Sequence, residues 1–237
     1  MMKTKLAHGA VAAALVLAGA GASATPMFDV TVWAANTPGA TISSLSQQAL
    51  LSNTIAASGN EVATFTLSGL PDWYIPGSGT TNSLGNFIGA SYSNGNWTLP
   101  SDISNFTTAN SLTNTQALNT VLSTGGFASA SLFDLAFTIS NPVTATIVHD
   151  DGISVYQGNT QISPFSSSSP TTAIATPVTL SAAGSYSLYY VEANGAPSEL
   201  DVTKYTTVPE PATLGLMGFA LVGAGLARRQ RRNKAKA

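Results

Sequence analysis

The chain is 237 residues long, has no cysteine, and only 8% of it is charged, for a formal net charge of −2. Without cysteine, disulfides, thiol catalysis and zinc–thiolate sites are excluded. The whole-chain charge hides an asymmetry: ten acids from Asp29 to Asp201 face one base, Lys204, across the middle of the chain, a net charge near −9. Such a stretch repels nucleic acid and anionic lipid and attracts divalent cations.

In chain order, residues 1–24 come first. Lys3 and Lys5 precede an apolar run from Leu6 to Leu17, and Ala22-Ser23-Ala24 closes it. A basic start, a short greasy helix and a small-x-small exit are the layout of a cleaved secretory signal, with Ala22 and Ala24 as the signal-peptidase site. The run is too short for the roughly 20 apolar residues that a membrane span prefers.

Residues 25–203 are long enough for one domain with its own core. "DVTVW", "ATFTLS", "FDLAFTIS", "TATIV", "ISVY", "PVTLS", "SYSLYYV" and "ELDV" alternate apolar and polar residues between clusters of Gly, Pro, Ser and Asn. In "FDLAFTIS", for example, Phe133, Leu135, Phe137 and Ile139 share one face. Period two in many short runs predicts an all-β ectodomain, an antiparallel β-sandwich or jelly roll. One stretch, "SSLSQQALLSNTIAA", offers a poorly phased helical pattern. Residues 76–96 and 163–172 read as loops.

Asp151-Gly152 and Asn194-Gly195 each sit between strand-like runs and read as two-residue hairpin turns, because both dipeptides accept positive φ. The Asp150-Asp151 pair is then either a solvated turn or a pair of hard oxygen ligands for Ca²⁺, helped by main-chain carbonyls and Asn159. The run "HDDGISVY", a variable loop, then "AAGSYSLYYVEANGAPSELDV" resembles, over residues 143–203, the closing portion of protective-antigen-type lectin sandwiches and fibro-slime domains. That resemblance implies a calcium ion on Asp150 and Asp151 that in turn holds sugar hydroxyls.

Catalytic groups are scarce. The middle of the chain has one histidine, His149, and one lysine, and no Gly-x-Ser-x-Gly elbow, histidine pair or phosphate-binding glycine loop. His149 and its acidic neighbours would point to opposite faces of a strand, which is poor geometry for a triad. Glu192 with Glu199 is the remaining acid pair that a glycan hydrolase would need. The chain is therefore expected not to be an enzyme. Of the aromatics, Tyr186 and Tyr190 share a face with Leu188 and are expected in the core, leaving Tyr189 exposed.

The tail carries a second address. Residues 204–211 form a linker with Val208-Pro209-Glu210-Pro211, residues 212–227 are uncharged and predict one transmembrane helix, and residues 228–237 hold Arg228, Arg229, Arg231 and Arg232 as a cytoplasmic stop-transfer cluster. Sixteen residues rise roughly 24 Å, a little short of a bilayer core. Two prolines around one acid keep the backbone extended and open to an enzyme. Pro-Glu-Pro, a short span and a terminal arginine cluster resemble the PEP-CTERM sorting signal of Gram-negative bacteria. The resemblance implies an exosortase that recognises and cuts this motif after a transient stay in the inner membrane.

Together these features predict a secreted, non-enzymatic protein of the cell surface or of the exopolysaccharide matrix, of the kind found in adhesion and biofilms. Its partners are signal peptidase, exosortase and an extracellular polysaccharide, with no nucleic acid among them. The alternatives are a calcium-dependent carbohydrate-binding module and, third, a glycan hydrolase.

Overall fold

The computed structural model describes residues 25–34, 47–77, 79–125, 129–162 and 172–208, and beyond them 215, 217–224 and 228. Residues 25–207 form one compact unit. Its elements are β1 (Met27–Ala34), α1 (Leu51–Ala57), β2 (Glu61–Ser68), β3 (Asp72–Ile75), α2 (Leu84–Phe87), β4 (Ser91–Ser93), β5 (Asn96–Thr98), β6 (Ile103–Thr108), α3 (Asn114–Leu118), β7 (Ser131–Ile139), β8 (Val143–Asp150), β9 (Ile153–Gln157), β10 (Thr160–Gln161), β11 (Ile174–Leu180), β12 (Gly184–Glu192) and β13 (Ser198–Thr207).

Two antiparallel sheets carry the architecture: seven strands in the order β10-β9-β12-β7-β1-β2-β6, and four in the order β11-β8-β13-β3. The alternation seen in the sequence has a direct physical outcome. In β7, Phe133 and Leu135 are buried, and in β8, Val143 and Ile147, so the inner faces of the two sheets meet in one apolar core. Among the described residues, that core lies between residues 28 and 202, inside the one unit.

The outer face of the seven-stranded sheet is also covered. Ala49, Leu51 and Ala57, in and just before α1, pack over Trp33, Leu132, Tyr156, Tyr189 and Val191. The weak helical pattern thus yields seven helical residues, with Leu50 at the N-cap offering no side-chain cap, and burial rather than propensity holds them there. It follows that Tyr189, expected outside, is only 4% exposed. An alternating strand shows which residues share a face, but not whether a second layer lies over it.

The stretch expected as a loop over 76–96 contains structure. α2 starts at Ser83, whose hydroxyl accepts from the Asn86 amide, and α3 starts with a capping box between Thr113 and Gln116. β4 and β5 form a separate two-stranded hairpin whose turn is Asn94-Gly95, at φ +51° and +82°. Of the second predicted loop, residues 163–171 lie outside the described residues.

β13 runs through Lys204 to Thr207 and resumes pairing with β8 at Thr206 and Thr207 after a register shift, so these four residues are strand rather than linker. In the tail, residues 217–224 are helical, with Met217, Phe219, Leu221 and Val222 exposed. Among the described residues no helix is long and apolar enough to cross a membrane.

Candidate functional site

Both dipeptides read as hairpin turns are corners between sheets. β8 pairs with β11 and β13 in the four-stranded sheet, whereas β9, just past Asp151-Gly152, pairs with β10 and β12 in the seven-stranded one. β12 and β13, on either side of Asn194-Gly195, are divided in the same way. Asp-Gly and Asn-Gly mark a reversal of the chain. They do not say whether the next strand pairs with the last or crosses to the opposite layer.

The two corners meet. Asp151 Oδ2 accepts the Ala193 amide at 2.8 Å, and the Tyr190 hydroxyl donates to the Asp150 carbonyl oxygen at 2.5 Å. The Asp150–Asp151 peptide bond is cis. Both acids are withdrawn from solvent, at 7% and 2% exposure. Burial pushes the Asp150 carboxyl up to about 6, and the charges of Asp151 and Glu199 push the same way against the Ala173 amide.

His149 points inward and is fully buried. Its Nδ1 is 2.5 Å from the Asp151 carbonyl oxygen and its Nε2 is 2.8 Å from the Thr176 hydroxyl. A carbonyl only accepts, so Nδ1 carries the proton and Nε2 accepts from Thr176. Burial lowers the His149 pKa, with the bond to Asp151 opposing, so the ring is neutral near pH 7 and anchors the corner.

Beneath the corner lies a polar cluster that the sequence did not announce. Glu192 is completely buried; its Oε1 accepts from Ser123 Oγ at 2.6 Å and Asn82 Nδ2 at 3.0 Å, and its Oε2 lies 3.0 Å from the Tyr190 hydroxyl. Ser123 Oγ also accepts the Gly195 amide at 2.7 Å, and Ser198 donates to Asn82 Oδ1 at 3.3 Å. Desolvation raises the Glu192 carboxyl to about 8, against its hydrogen-bond donors. Tyr190 has one proton and faces two acceptors, so a protonated Glu192 resolves the conflict: its O–H faces the phenol oxygen while the phenol donates to Asp150. These residues come from segments far apart in the chain, and no local pattern links them.

Glu192 is therefore a buried structural acid. Glu199 stands on the outer face of the other sheet, opposite Asp150 on β8 and Tyr74 on β3. The two are not brought together as a hydrolase pair. Two residues on, and so on the same face, Asp201 faces Asp72, which extends the acidic row along the exposed face. Burial first, and then the Asp72 charge, raises the Asp201 pKa.

Whether the corner fits a divalent cation depends on its donors. Two adjacent carboxylates provide hard oxygens, and among the described residues no group of three or more acids or histidines converges. A calcium ion there would draw the rest of its six to eight ligands from main-chain carbonyls, amide side chains and water. Asn159 lies exposed in the turn between β9 and β10.

Of the sorting residues, Val208 is described and 42% exposed, and Arg228 is helical and exposed. Pro209, Glu210, Pro211, Arg229, Arg231, Arg232, Ala22 and Ala24 lie outside the described residues, as do the signal segment 1–24 and much of the predicted span.

Residues 207–232 match the PEP-CTERM protein-sorting motif. No curated protein matches the chain. Among solved structures, the chain is similar to a PA14 sugar-binding domain from an RTX adhesin, at 12% identity over 79% of this chain and 100% of that one, with a TM-score of 0.44. It is also similar to the PA14 domain of the MpAFP antifreeze protein, at 13% identity over 78% of this chain and 83% of that one, again with a TM-score of 0.44. The tail resemblance read from the sequence is thus matched by the motif.

Proposed function

We propose that the chain is an exported, non-catalytic component of the cell surface or extracellular polysaccharide matrix, delivered by exosortase processing at Val208-Pro209-Glu210-Pro211. The observation behind this reading is the sorting motif at residues 207–232, which implies an exported protein handled by an exosortase. The non-catalytic part is supported by the burial of His149 and Glu192, both at 0% exposure, where neither reaches a solvent-borne substrate. Mass spectrometry of the mature C-terminus tests the processing. A product ending near Val208 or Pro209 is expected; an intact arginine tail on the surface-located protein defeats it.

A second reading, a calcium-dependent carbohydrate-binding module, is favoured by the Asp150–Asp151 corner. There the Ala193 amide holds the Asp151 carboxylate and the Tyr190 hydroxyl holds the Asp150 main-chain carbonyl, in a stretch whose only base is Lys204. When bound, calcium would supply a Lewis-acidic centre for vicinal sugar hydroxyls, and the corner would hold it rigidly. Calorimetry with CaCl₂ on residues 25–207, wild type against Asp150→Ala, tests it. Heat and a raised melting temperature in the wild type alone are expected; a silent wild type ends the idea.

A further inference from the structure

Between Asp72 and Asp134 the sequence holds a single charge, Asp102. The β4–β5 hairpin lies in this neutral stretch and carries Tyr92 directly across from Trp97, their ring centroids 5.0 Å apart and tilted by 49°. Tyr92 is 56% exposed. The other two tryptophans, Trp33 and Trp73, are buried at 8% and 4%, while Trp97 is part-exposed.

Trp97 is held in place from two sides. Its Nε1 donates to Asn119 Oδ1 at 3.0 Å. Its six-membered ring lies so close over Gly85 that a Cβ there would sit 2.7 Å from ring atoms. Gly85 is the helical residue of α2 that makes room for the indole, and the tight Asn94-Gly95 turn fixes the register that sets Tyr92 beside it. An indole braced this firmly loses little freedom on binding. Ser91 pairs with Thr98 and Ser93 with Asn96, so these neutral side chains lie on the opposite face of the hairpin from the aromatic pair.

We infer that the Tyr92–Trp97 hairpin is a metal-independent contact for a neutral polysaccharide. The C–H faces of a pyranose suit the aromatic pair. The absence of charge from residues 73 to 101 matches a ligand that has none. The inference extends the carbohydrate-binding reading above, but its chemistry is independent of the acid corner. Two contacts on one domain raise the affinity for a long repeating chain beyond that of either alone.

Tryptophan emission is the readout, because Trp97 is the part-exposed indole. Residues 25–207 are titrated with cellohexaose, laminarihexaose, maltohexaose and mannohexaose, in EDTA and in parallel in CaCl₂. The expected result is a saturable emission shift with at least one hexasaccharide. Tyr92→Ala, at an exposed position that leaves the fold intact, weakens it about ten-fold, and replacing EDTA with CaCl₂ leaves the wild-type affinity unchanged. No shift with any of the four, or equal affinity in Tyr92→Ala, overturns the inference. Binding that needs calcium and ignores Tyr92 also overturns it, while leaving the acid-corner reading in place.

Discussion

The Tyr190 hydroxyl donates to the Asp150 carbonyl at 2.5 Å, a bond that joins the seven-stranded sheet to the end of β8 in the opposite one. The phenol is fully buried and its ring stacks on Phe87 at 5.5 Å, so the acid corner is held from within the core. Tyr190→Phe removes this donor but keeps the ring. Leaving the buried carbonyl and Glu192 short of a partner should cost about 1–3 kcal/mol in urea unfolding. An unchanged midpoint would mean that the bond contributes nothing.

Stability should fall as pH rises in metal-free buffer. Glu192 is raised from 4.5 to about 8, and Asp134 and Asp150 from 3.8 to about 6, in each case chiefly by burial. A raised folded-state pKa means that the folded protein holds more protons than the unfolded chain between the two values, so folding loses ground across about pH 4 to 8. Glu192→Gln keeps a donor toward Tyr190 without a titrating group. Its melting temperature should change less above pH 6 than that of the wild type, and should exceed it at pH 8. Parallel pH profiles for the two proteins would rule this out.

Gly85→Ala should disturb the hairpin. The added methyl meets three Trp97 ring carbons at 2.7 to 2.9 Å, so the indole must move off its seat. Overpacking of this kind costs about 1–3 kcal/mol. Near-ultraviolet circular dichroism should show an altered tryptophan band; an unaltered band and melting temperature would contradict the close contact.

A small apolar void of about 30 Å³ lies between the sheets, lined in part by Phe28, Phe137, Ala145 and Leu188. Ala145→Val adds two methyl groups toward it and places a β-branched residue in a strand. A gain of about 0.5–1 kcal/mol is expected by urea unfolding. A loss of stability would mean that the space is not usable.

Asp72 and Asp201 face each other across β3 and β13 with like charge. Asp201→Asn should therefore stabilise the unit by a few tenths of a kcal/mol, more at low salt than at high. The same gain at 10 mM and 500 mM NaCl would show that repulsion is not its source.

Much of the fold was legible in the sequence because its information is local. Alternation in "FDLAFTIS" assigns Phe133 and Leu135 to one face, and the structure buries both. The tail motif is contiguous, so it could be read without a fold at all. What the chain by itself determined is therefore an all-β body, its acidic excess and its sorting address. Tertiary structure decided the rest. It made the two Asx-Gly turns into corners between sheets, covered Tyr189 with α1, and buried Glu192 among Asn82, Ser123 and Tyr190. The physical reason is that period two sets only which residues share a side of a strand. Which strand pairs with which, and what lies above a face, depends on contacts between residues tens of positions apart, and no short stretch encodes them.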